Sequence, residues 1–390
     1  MKNKNAKTTY DKNDTDIIDL EKEDLLEEAS PENSGNENPD ADNPADDFED
    51  DFEDDSEEES VPGTGIRRFL NLHVALVAVA VVVILICVSR LSNWGVQVDL
   101  DEIFKDGPGT YNNTFDEMLP LIDVNSQIVE QDSLDTILLL GNAPFADDRD
   151  SADSLASMIE EQTGATVYNC AVQNSYLTCL SDDGNFTDYP YDIFNLYNLS
   201  VISCGFDYSE PFNTAKDVLM AEGGYPEEGD YVYETLSTLG PVDAIVIMYD
   251  ATDYYMGNKM YGGYDENDVA SFTGSLAASL ELLRSFRPDS RIIVMSPTYA
   301  YAVDEEGNYV SSDQYTYGEE DVLSSYIIKQ CETAHANSVS FIDHLYGTVT
   351  EDNAKDYLVD NVHLNVAGRA LVAERLEYFL NYYIKDYNKD

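Results

Sequence analysis

An aspartate and a histidine three residues apart are the first candidates for chemistry in this sequence. Asp360 and His363 stand directly ahead of a helical pattern, which Asn365 is placed to cap. A carboxylate that holds an imidazole suits general acid–base catalysis. The same spacing is more often an ordinary helix entry without a catalytic role, so the surrounding elements must decide between these interpretations.

Three further polar segments follow apolar strand patterns along the chain. They are residues 140–145, 169–175 and 249–254. In an open parallel sheet, binding sites form where the strands end and the helices begin. We therefore expect these segments to meet Asp360 and His363 at one edge of a sheet.

The elements that must position these residues lie in residues 135–390, which alternate short apolar strands with longer helical patterns. The predicted strands are 136–140, 166–170, 244–248, 291–295 and 339–342, and the predicted helices are 151–163, 268–286, 319–336 and 366–383. Short buried strands separated by long helices indicate a parallel sheet covered on both faces, which is an α/β fold. Residues 181–240 are less regular, and we expect an insertion with one or two helices over the top of the sheet.

In this order, the four polar segments resemble those of the SGNH/GDSL hydrolase family, whose members hydrolyse or transfer ester-linked acyl groups. The resemblance covers residues 135–383 and is strongest in the block DNVHLNVAGRALVAERL. It implies a three-layer, flavodoxin-like (SGNH-type) α/β/α fold with a five-stranded parallel sheet, which agrees with the pattern above. It also implies that Asp360 and His363 are the catalytic pair.

The same resemblance places Ala143 at the position of the family's nucleophilic serine. A methyl group cannot attack a carbonyl carbon, and losing a serine nucleophile costs on the order of a million-fold in rate in a serine protease. The oxyanion positions also differ, with Gln173 or Asn174 in the second block and Thr252 in the third. We therefore expect a degenerate site. Its expected oxyanion and pocket residues are Gly141, Asn142, Asn174, Thr252 and Asp253.

Other groups could replace the missing serine. Ser175 and Ser296 are the best-placed hydroxyls, although a turn or capping role is the commoner one. His363 could instead activate water, aided by Asp253 or Asp360. A third route is a metal ion on loop carboxylates. The carboxylates in question are Asp147, Asp148, Asp150, Asp250 and Asp253. Acidic residues are also common in solvated loops, which is the simpler explanation for them, so neither a metal nor a cofactor is predicted.

Tyrosines cluster after the third and fourth predicted strands. A tyrosine combines an apolar face with a polar tip, which suits stacking on sugar rings. Loop packing is the simpler explanation for any single tyrosine, but the groups together predict a ligand-binding rim. The predicted rim residues are Tyr254, Tyr255, Tyr299 and Tyr301.

An uncharged apolar run occupies residues 69–88. At about 1.5 Å per residue it matches a hydrocarbon core about 30 Å thick, so residues 67–90 are predicted to form a single transmembrane helix. Arg67 and Arg68 precede the run and only Arg90 closely follows it, which favours a cytoplasmic N-terminus. Residues 91–134 are then a juxtamembrane stalk, and the domain from residue 135 onward is extracytoplasmic.

The formal net charge of −56 excludes binding to a nucleic-acid backbone, which needs lysine and arginine to replace counterions. Residues 1–66 include the run DDFEDDFEDDSEEE and too few apolar side chains to offset the entropy of folding. They are predicted to be a disordered acidic tail that could recruit a cytoplasmic partner.

These observations predict a single-pass protein of the cell membrane. Its outer domain is expected to recognise acylated or esterified envelope glycans without the family serine. One alternative is an active esterase or O-acyltransferase that uses a displaced nucleophile, activated water or a metal. Another is a non-catalytic envelope scaffold that signals through its acidic tail.

Overall fold

A computed structural model describes residues 114–122, 128–129, 131–263, 266–318 and 320–384. The predicted acidic tail, the predicted transmembrane helix and the first part of the predicted stalk lie outside the described residues. Within the described part of the chain, no helix has both the length and the apolar character needed to span a membrane.

The strands of the described residues include one five-stranded sheet and two short pairs. In chain order the strands are β1 (Leu121–Ile122), β2 (Ile128–Val129), β3 (Thr136–Gly141), β4 (Thr166–Asn169), β5 (Ala244–Met248), β6 (Arg291–Met295), β7 (Ala302–Val303), β8 (Tyr309–Val310) and β9 (Ser340–Ile342). The large sheet is parallel throughout and has the order β4-β3-β5-β6-β9, whereas β1 with β2 and β7 with β8 form antiparallel pairs.

The helices of the described residues complete the alternation. In chain order they are α1 (Ala143–Ala146), α2 (Leu155–Thr163), a 3-10 helix (Pro190–Phe194), α3 (Leu196–Ser203), α4 (Ser209–Glu222), α5 (Gly229–Thr238), α6 (Thr252–Tyr255), α7 (Phe272–Phe286), α8 (Leu323–Ala336), α9 (His344–Gly347), α10 (Ala354–Tyr357) and α11 (Val366–Asn381). Helix α2 packs on α11, while α7 packs on α3 and α8. These two groups supply the helical layers of a three-layer α/β/α fold.

The predicted fold class is confirmed. Every residue of β5 and β6 is buried, as expected for parallel strands with helices on both faces. The sheet order is the flavodoxin-like one, in which the chain first builds to one side of β3 and then to the other. The crevice at this change of direction lies between the ends of β3 and β5, and ligands bind at such points in open α/β sheets.

The insertion at residues 181–240 is larger than the sequence pattern indicated. It contains the 3-10 helix and three α-helices, α3 to α5, rather than one or two helices. Helix α3 buries Leu196, Leu199 and Ile202 and packs against α7 and β3, so it belongs to a helical layer rather than lying over the top of the sheet. Because Asn198, Ser200 and Ser203 are buried along with the apolar residues of α3, the sequence shows no separate polar face that would have predicted a helix in this layer.

The last part of the predicted stalk is part of the folded domain. Glu117 and Phe341 exchange two backbone hydrogen bonds of 2.9 and 2.8 Å, and the Asp116 carboxylate forms an ion pair with Arg375. The segment covers the edge strand β9, whose outer backbone groups would otherwise be unpaired. No helix forms in residues 114–122 or 128–129, and the folded domain extends to Thr114 rather than starting at residue 135.

Candidate active site without a serine nucleophile

A small pocket opens at the carboxyl edge of the sheet, where β3, β5 and β6 end. It is lined by Ala143, Pro144, Asp147, Asp250, Ala251, Pro297, Thr298, Val362, His363 and Leu364. The pocket therefore brings together the first polar segment, the third segment and the block that contains His363, whereas the second predicted segment, residues 169–175, does not line it. Its volume of about 10 Å³ has room for about one water-sized group.

The Asp360–His363 pair is assembled as predicted. His363 Nδ1 lies 2.7 Å from Asp360 Oδ2, and Asp360 Oδ1 accepts hydrogen bonds from the backbone N–H groups of His363 (2.8 Å) and Val362 (2.9 Å). These contacts fix the carboxylate and orient the imidazole ring. Because Nδ1 is occupied, Nε2 is the ring nitrogen left for a ligand.

The charges around His363 decide its protonation state. The hydrogen bond to Asp360 raises the pKa of His363 to about 9, against the opposing effect of burial, and the charges of Asp147 and Asp250 add to the increase. Burial alone would raise the pKa of Asp360, but the hydrogen bonds from His363 and Val362 lower it to about 2. At neutral pH the imidazole is therefore protonated and acts as a hydrogen-bond donor rather than as a base.

Ala143 begins α1 directly after β3 and its methyl group lines the pocket beside His363. The turn between them needs Gly141, because a Cβ at that position would overlap the carbonyl oxygen of Met248 on the neighbouring strand β5. The backbones of β3 and β5 therefore lie close together at Gly141, and this places residue 143 in the pocket. Residue 143 is therefore in the position of a nucleophile, but its side chain has no hydroxyl group.

A buried asparagine joins the strand ends under the pocket. Asn142 is 1% exposed, and its Nδ2 donates to Asp250 Oδ1 (2.8 Å) and to the Ser175 carbonyl (3.0 Å). Its Oδ1 accepts the Asp250 N–H at 2.8 Å. Asp250 belongs to the third polar segment predicted at the site edge, but it was named individually only as a possible metal ligand.

None of the five predicted oxyanion and pocket residues lines the pocket; Gly141 and Asn142 support its strand ends, and the other three are directed elsewhere. The hydroxyl and N–H of Thr252 both bind Asp250 Oδ1, so Thr252 supports Asp250 and does not line the pocket. The buried carboxylate of Asp253 accepts the N–H groups of residues 177 and 178 at 2.9 and 3.1 Å, which anchors that loop. Asn174 adopts a left-handed backbone conformation, φ +61°, in a turn beside the pocket rather than among its lining residues.

The two serines named as substitute nucleophiles serve the backbone. Ser175 is fully buried and its hydroxyl donates to the Val172 carbonyl at 2.9 Å. Ser296 is also buried; its Oγ accepts the His344 N–H at 2.8 Å at the start of α9. Neither lines the pocket of His363. The hydroxyl that does line it belongs to Thr298, which sequence analysis did not single out.

The predicted tyrosine rim is mostly interior. Tyr254 is 1% exposed and donates to the Tyr315 carbonyl at 2.7 Å, and Tyr299 is 2% exposed and lies 3.2 Å from Glu351. Tyr255 donates to the Tyr301 carbonyl at 2.9 Å. The four predicted rim residues therefore pack the loops that carry the pocket, and none of them lines it.

An acidic groove of about 750 Å³ adjoins the pocket and shares Asp147 with it. Its acidic lining residues are Asp147, Asp148, Asp150, Glu160, Glu227 and Glu228. Arg149 lies in the same groove, but its guanidinium donates to the backbone carbonyls of Asn169 and Ala171. The volume is in the range of ligand-binding clefts.

The five carboxylates considered as metal ligands do not form one cluster. Asp148 pairs with Arg369 at 2.8 Å, and Asp253 is turned toward residues 177 and 178. Among the residues that the structure describes, no group of three or more His, Cys, Asp or Glu side chains is arranged to hold a metal ion.

No family model matches this chain. A search of curated proteins gives no match either. Among solved structures, the chain is similar to a Lactobacillus plantarum protein, with 16% identity, 65% of this chain and 99% of that chain covered, and a TM-score of 0.44. A protein described as a GDSL-like lipase from Bacteroides uniformis gives 11% identity, 62% and 93% coverage and a TM-score of 0.34. An acetyl xylan esterase from the rumen bacterium Butyrivibrio proteoclasticus gives 16% identity, 66% coverage of each chain and a TM-score of 0.39.

Proposed function

We propose that this chain is a membrane-anchored, extracytoplasmic protein whose SGNH/GDSL-hydrolase-like domain binds acylated or esterified envelope glycans without cleaving them. One observation carries the proposal. Ala143 lines the same pocket as His363, at the position where the family motif has its nucleophile. A substrate carbonyl seated there would meet a methyl group.

The protonation of His363 supports binding over catalysis. A general base must be neutral to take a proton, and a pKa of about 9 leaves only about one imidazole in a hundred neutral at pH 7. The protonated ring can still donate a hydrogen bond from Nε2 to an ester or hydroxyl oxygen. The pair is therefore suited to holding an oxygen atom of a ligand.

Hydrolysis by activated water is the second candidate, because the Asp360–His363 pair is intact and the pocket has room for about one water. Such an enzyme would need neutral His363. Its rate would rise with pH toward a plateau above about pH 9, which separates it from a binding protein.

The test uses the full-length protein and an acetylated xylo-oligosaccharide, with binding measured by calorimetry and acetate release measured in the same samples. We expect binding without acetate release, and weaker binding in His363→Ala. Acetate release that is lost in His363→Ala would contradict the proposal and establish the water route. Absence of both binding and release would reject acetylated xylo-oligosaccharides as ligands and count against the proposal.

A further inference from the structure

A second cavity, of about 480 Å³, lies at the amino edge of the sheet, beside the first residues of β6 and β9 and opposite the edge that carries His363. Three arginines line it, Arg284, Arg287 and Arg291, and none of its lining residues is acidic. Half of the six arginines in the described part of the chain therefore meet at one cavity of a protein whose formal net charge is −56. Such a local concentration of positive charge attracts an anion.

The charge of Arg291 is buried and not neutralised. Arg291 is 3% exposed, and its Nε and Nη1 donate to the carbonyls of Leu119 and Leu380 at 3.2 Å each. Its guanidinium carbon also lies 5.0 Å from the centre of the Tyr383 ring, but its buried Nη2 has no hydrogen-bond partner within the described residues. Burial lowers the pKa of Arg291 to about 10. An unpaired buried cation costs free energy, and an anion in the cavity would reduce that cost.

The other two arginines extend the positive charge toward solvent. Arg287 Nε donates to the Ser203 carbonyl at 2.9 Å and its Nη2 to the Leu239 carbonyl at 3.1 Å, so this guanidinium is fixed in place but keeps its charge. Arg284 is exposed and forms no hydrogen bond or ion pair within the described residues, so its guanidinium is available to a ligand. The dipole of α7 explains a cation in its last turn, at Arg284, but not the buried Arg291 at the start of β6.

Aliphatic side chains adjoin the arginines. Those that line the cavity are Leu121, Ile122, Ile292 and Val339. The β1–β2 pair also presents Ile122, Ile128 and Val129 to solvent, with 46%, 65% and 37% of their surface exposed. A small soluble anion has no use for these aliphatic groups. Arginines beside exposed aliphatic side chains suit the surface of a membrane, where anionic headgroups adjoin acyl chains.

We propose that this cavity binds the phosphate of an anionic phospholipid, so that the amino edge of the sheet rests on the membrane surface. Arg284 donates hydrogen bonds to the phosphate oxygens, the fixed charges of Arg287 and Arg291 attract the phosphate, and the aliphatic side chains of β1 contact the acyl chains. The acidic remainder of the domain does not prevent this, because charges more than about 8 Å away are largely screened at physiological salt. The inference goes beyond the proposed function, because the cavity is separate from the pocket of His363.

Three probes test the inference on the full-length protein in a nonionic detergent, by calorimetry with the heat of mixing into protein-free detergent subtracted. Dihexanoyl phosphatidylglycerol has an anionic headgroup and short acyl chains. Dihexanoyl phosphatidylcholine has the same chains but no net charge, and glycerol 3-phosphate has the phosphate without the chains. We expect the phosphatidylglycerol to bind at least about tenfold more tightly than either of the others, and its advantage over the phosphatidylcholine to shrink as salt is added.

Three variants separate the cavity from the rest of the domain. Arg284→Gln removes an exposed charge from the cavity and should reduce the preference for phosphatidylglycerol over phosphatidylcholine by about fivefold. Lys355→Gln removes an equal charge from an exposed residue that does not line the cavity, and it should leave the preference within about twofold. Ile122→Ser should weaken the binding of both lipids and leave that of glycerol 3-phosphate unchanged.

Equal affinity for the two lipids, or no binding of either, would overturn the inference. So would a preference for phosphatidylglycerol that is unchanged in Arg284→Gln or that falls equally in Lys355→Gln, because the cavity would then not be its source. Glycerol 3-phosphate that binds as tightly as phosphatidylglycerol would show a site for soluble phosphate compounds and reject a lipid. None of these outcomes depends on glycan binding, so failure of this inference is distinguishable from failure of the proposed function.

Discussion

His363 is the residue whose protonation state decides what the pocket can do. The hydrogen bond to Asp360 raises the pKa of His363 most, and the charges of Asp147 and Asp250 add to the increase, so the ring stays protonated at neutral pH. Asp360 therefore orients the protonated ring of His363 as a hydrogen-bond donor. The family resemblance of the block DNVHLNVAGRALVAERL predicted the pair, whereas its protonation state depends on hydrogen bonds, burial and neighbouring charges that only the fold determines.

Replacing Asp360 with asparagine should lower the pKa of His363 from about 9 toward its usual value, because the charged hydrogen-bond acceptor is lost. NMR titration of the ring carbon resonances of His363 measures this pKa. Asp148→Asn is the control, since Asp148 is paired with Arg369 and does not line the pocket. An unchanged pKa in Asp360→Asn would show that Asp360 does not hold the ring.

The raised pKa of His363 also makes the free energy of unfolding depend on pH. The folded-state pKa of His363 lies above the usual histidine value of 6.5, so its contribution to stability is complete below about pH 6.5 and is lost as pH rises through about 9. Comparing the wild-type protein with His363→Gln by urea denaturation from pH 6 to pH 10 isolates this contribution. We expect the stability difference between the two to shrink across that interval, and a constant difference would be contrary evidence.

At the scale of elements, the close approach of β3 to β5 builds the pocket. Gly141→Ala should cost at least about 3 kcal/mol, because the added methyl would overlap the Met248 carbonyl where β3 and β5 end. Gly240→Ala is a matched control with no atom within 4 Å of the new Cβ. Urea denaturation measures both, and similar stabilities would mean that β3 and β5 are not in contact at Gly141.

The side chain of Asn142 also holds the ends of β3 and β5 together. Asn142→Ala removes bonds to Ser175 and Asp250 and leaves buried groups unpaired, which should cost about 1–3 kcal/mol. Asn308→Ala, at an exposed turn, should change the free energy of unfolding by no more than about 0.5 kcal/mol. A loss in Asn142→Ala no larger than in Asn308→Ala would contradict the role assigned to this amide.

Element types were largely predictable, whereas side-chain directions were not. Strand β5 spans the residues that its apolar run predicted, because a continuous apolar run fits a parallel strand buried on both faces. Asp253 and Thr298 show the limit of the pattern. Both residues follow buried strands. The Asp253 carboxylate turns into the protein and accepts hydrogen bonds from a loop, whereas Thr298 lines the pocket. Only tertiary contacts determine these directions.

At the scale of the whole molecule, the membrane anchor remains a prediction from residues 69–88. Full-length protein should sediment with membranes and resist extraction by high salt, whereas deletion of residues 67–90 should release it. Protease added outside intact cells should cleave the domain that carries His363 and spare an N-terminal tag, since the tail is predicted to be cytoplasmic. A soluble full-length protein would contradict the anchor, and cleavage of the tag would reverse the orientation.

The central proposal is that the pocket places residue 143 beside the Asp360–His363 pair as a hydrolase would, but without a nucleophile at that position. Ala143→Ser tests it most directly, with p-nitrophenyl acetate as substrate and the wild-type protein and the Ala143→Ser/His363→Ala double variant beside it. We predict that Ala143→Ser alone releases p-nitrophenol above background, with a rate that rises toward about pH 9 as His363 becomes neutral. Equal hydrolysis by the wild-type protein, or activity of Ala143→Ser that survives the loss of His363, would contradict the claim.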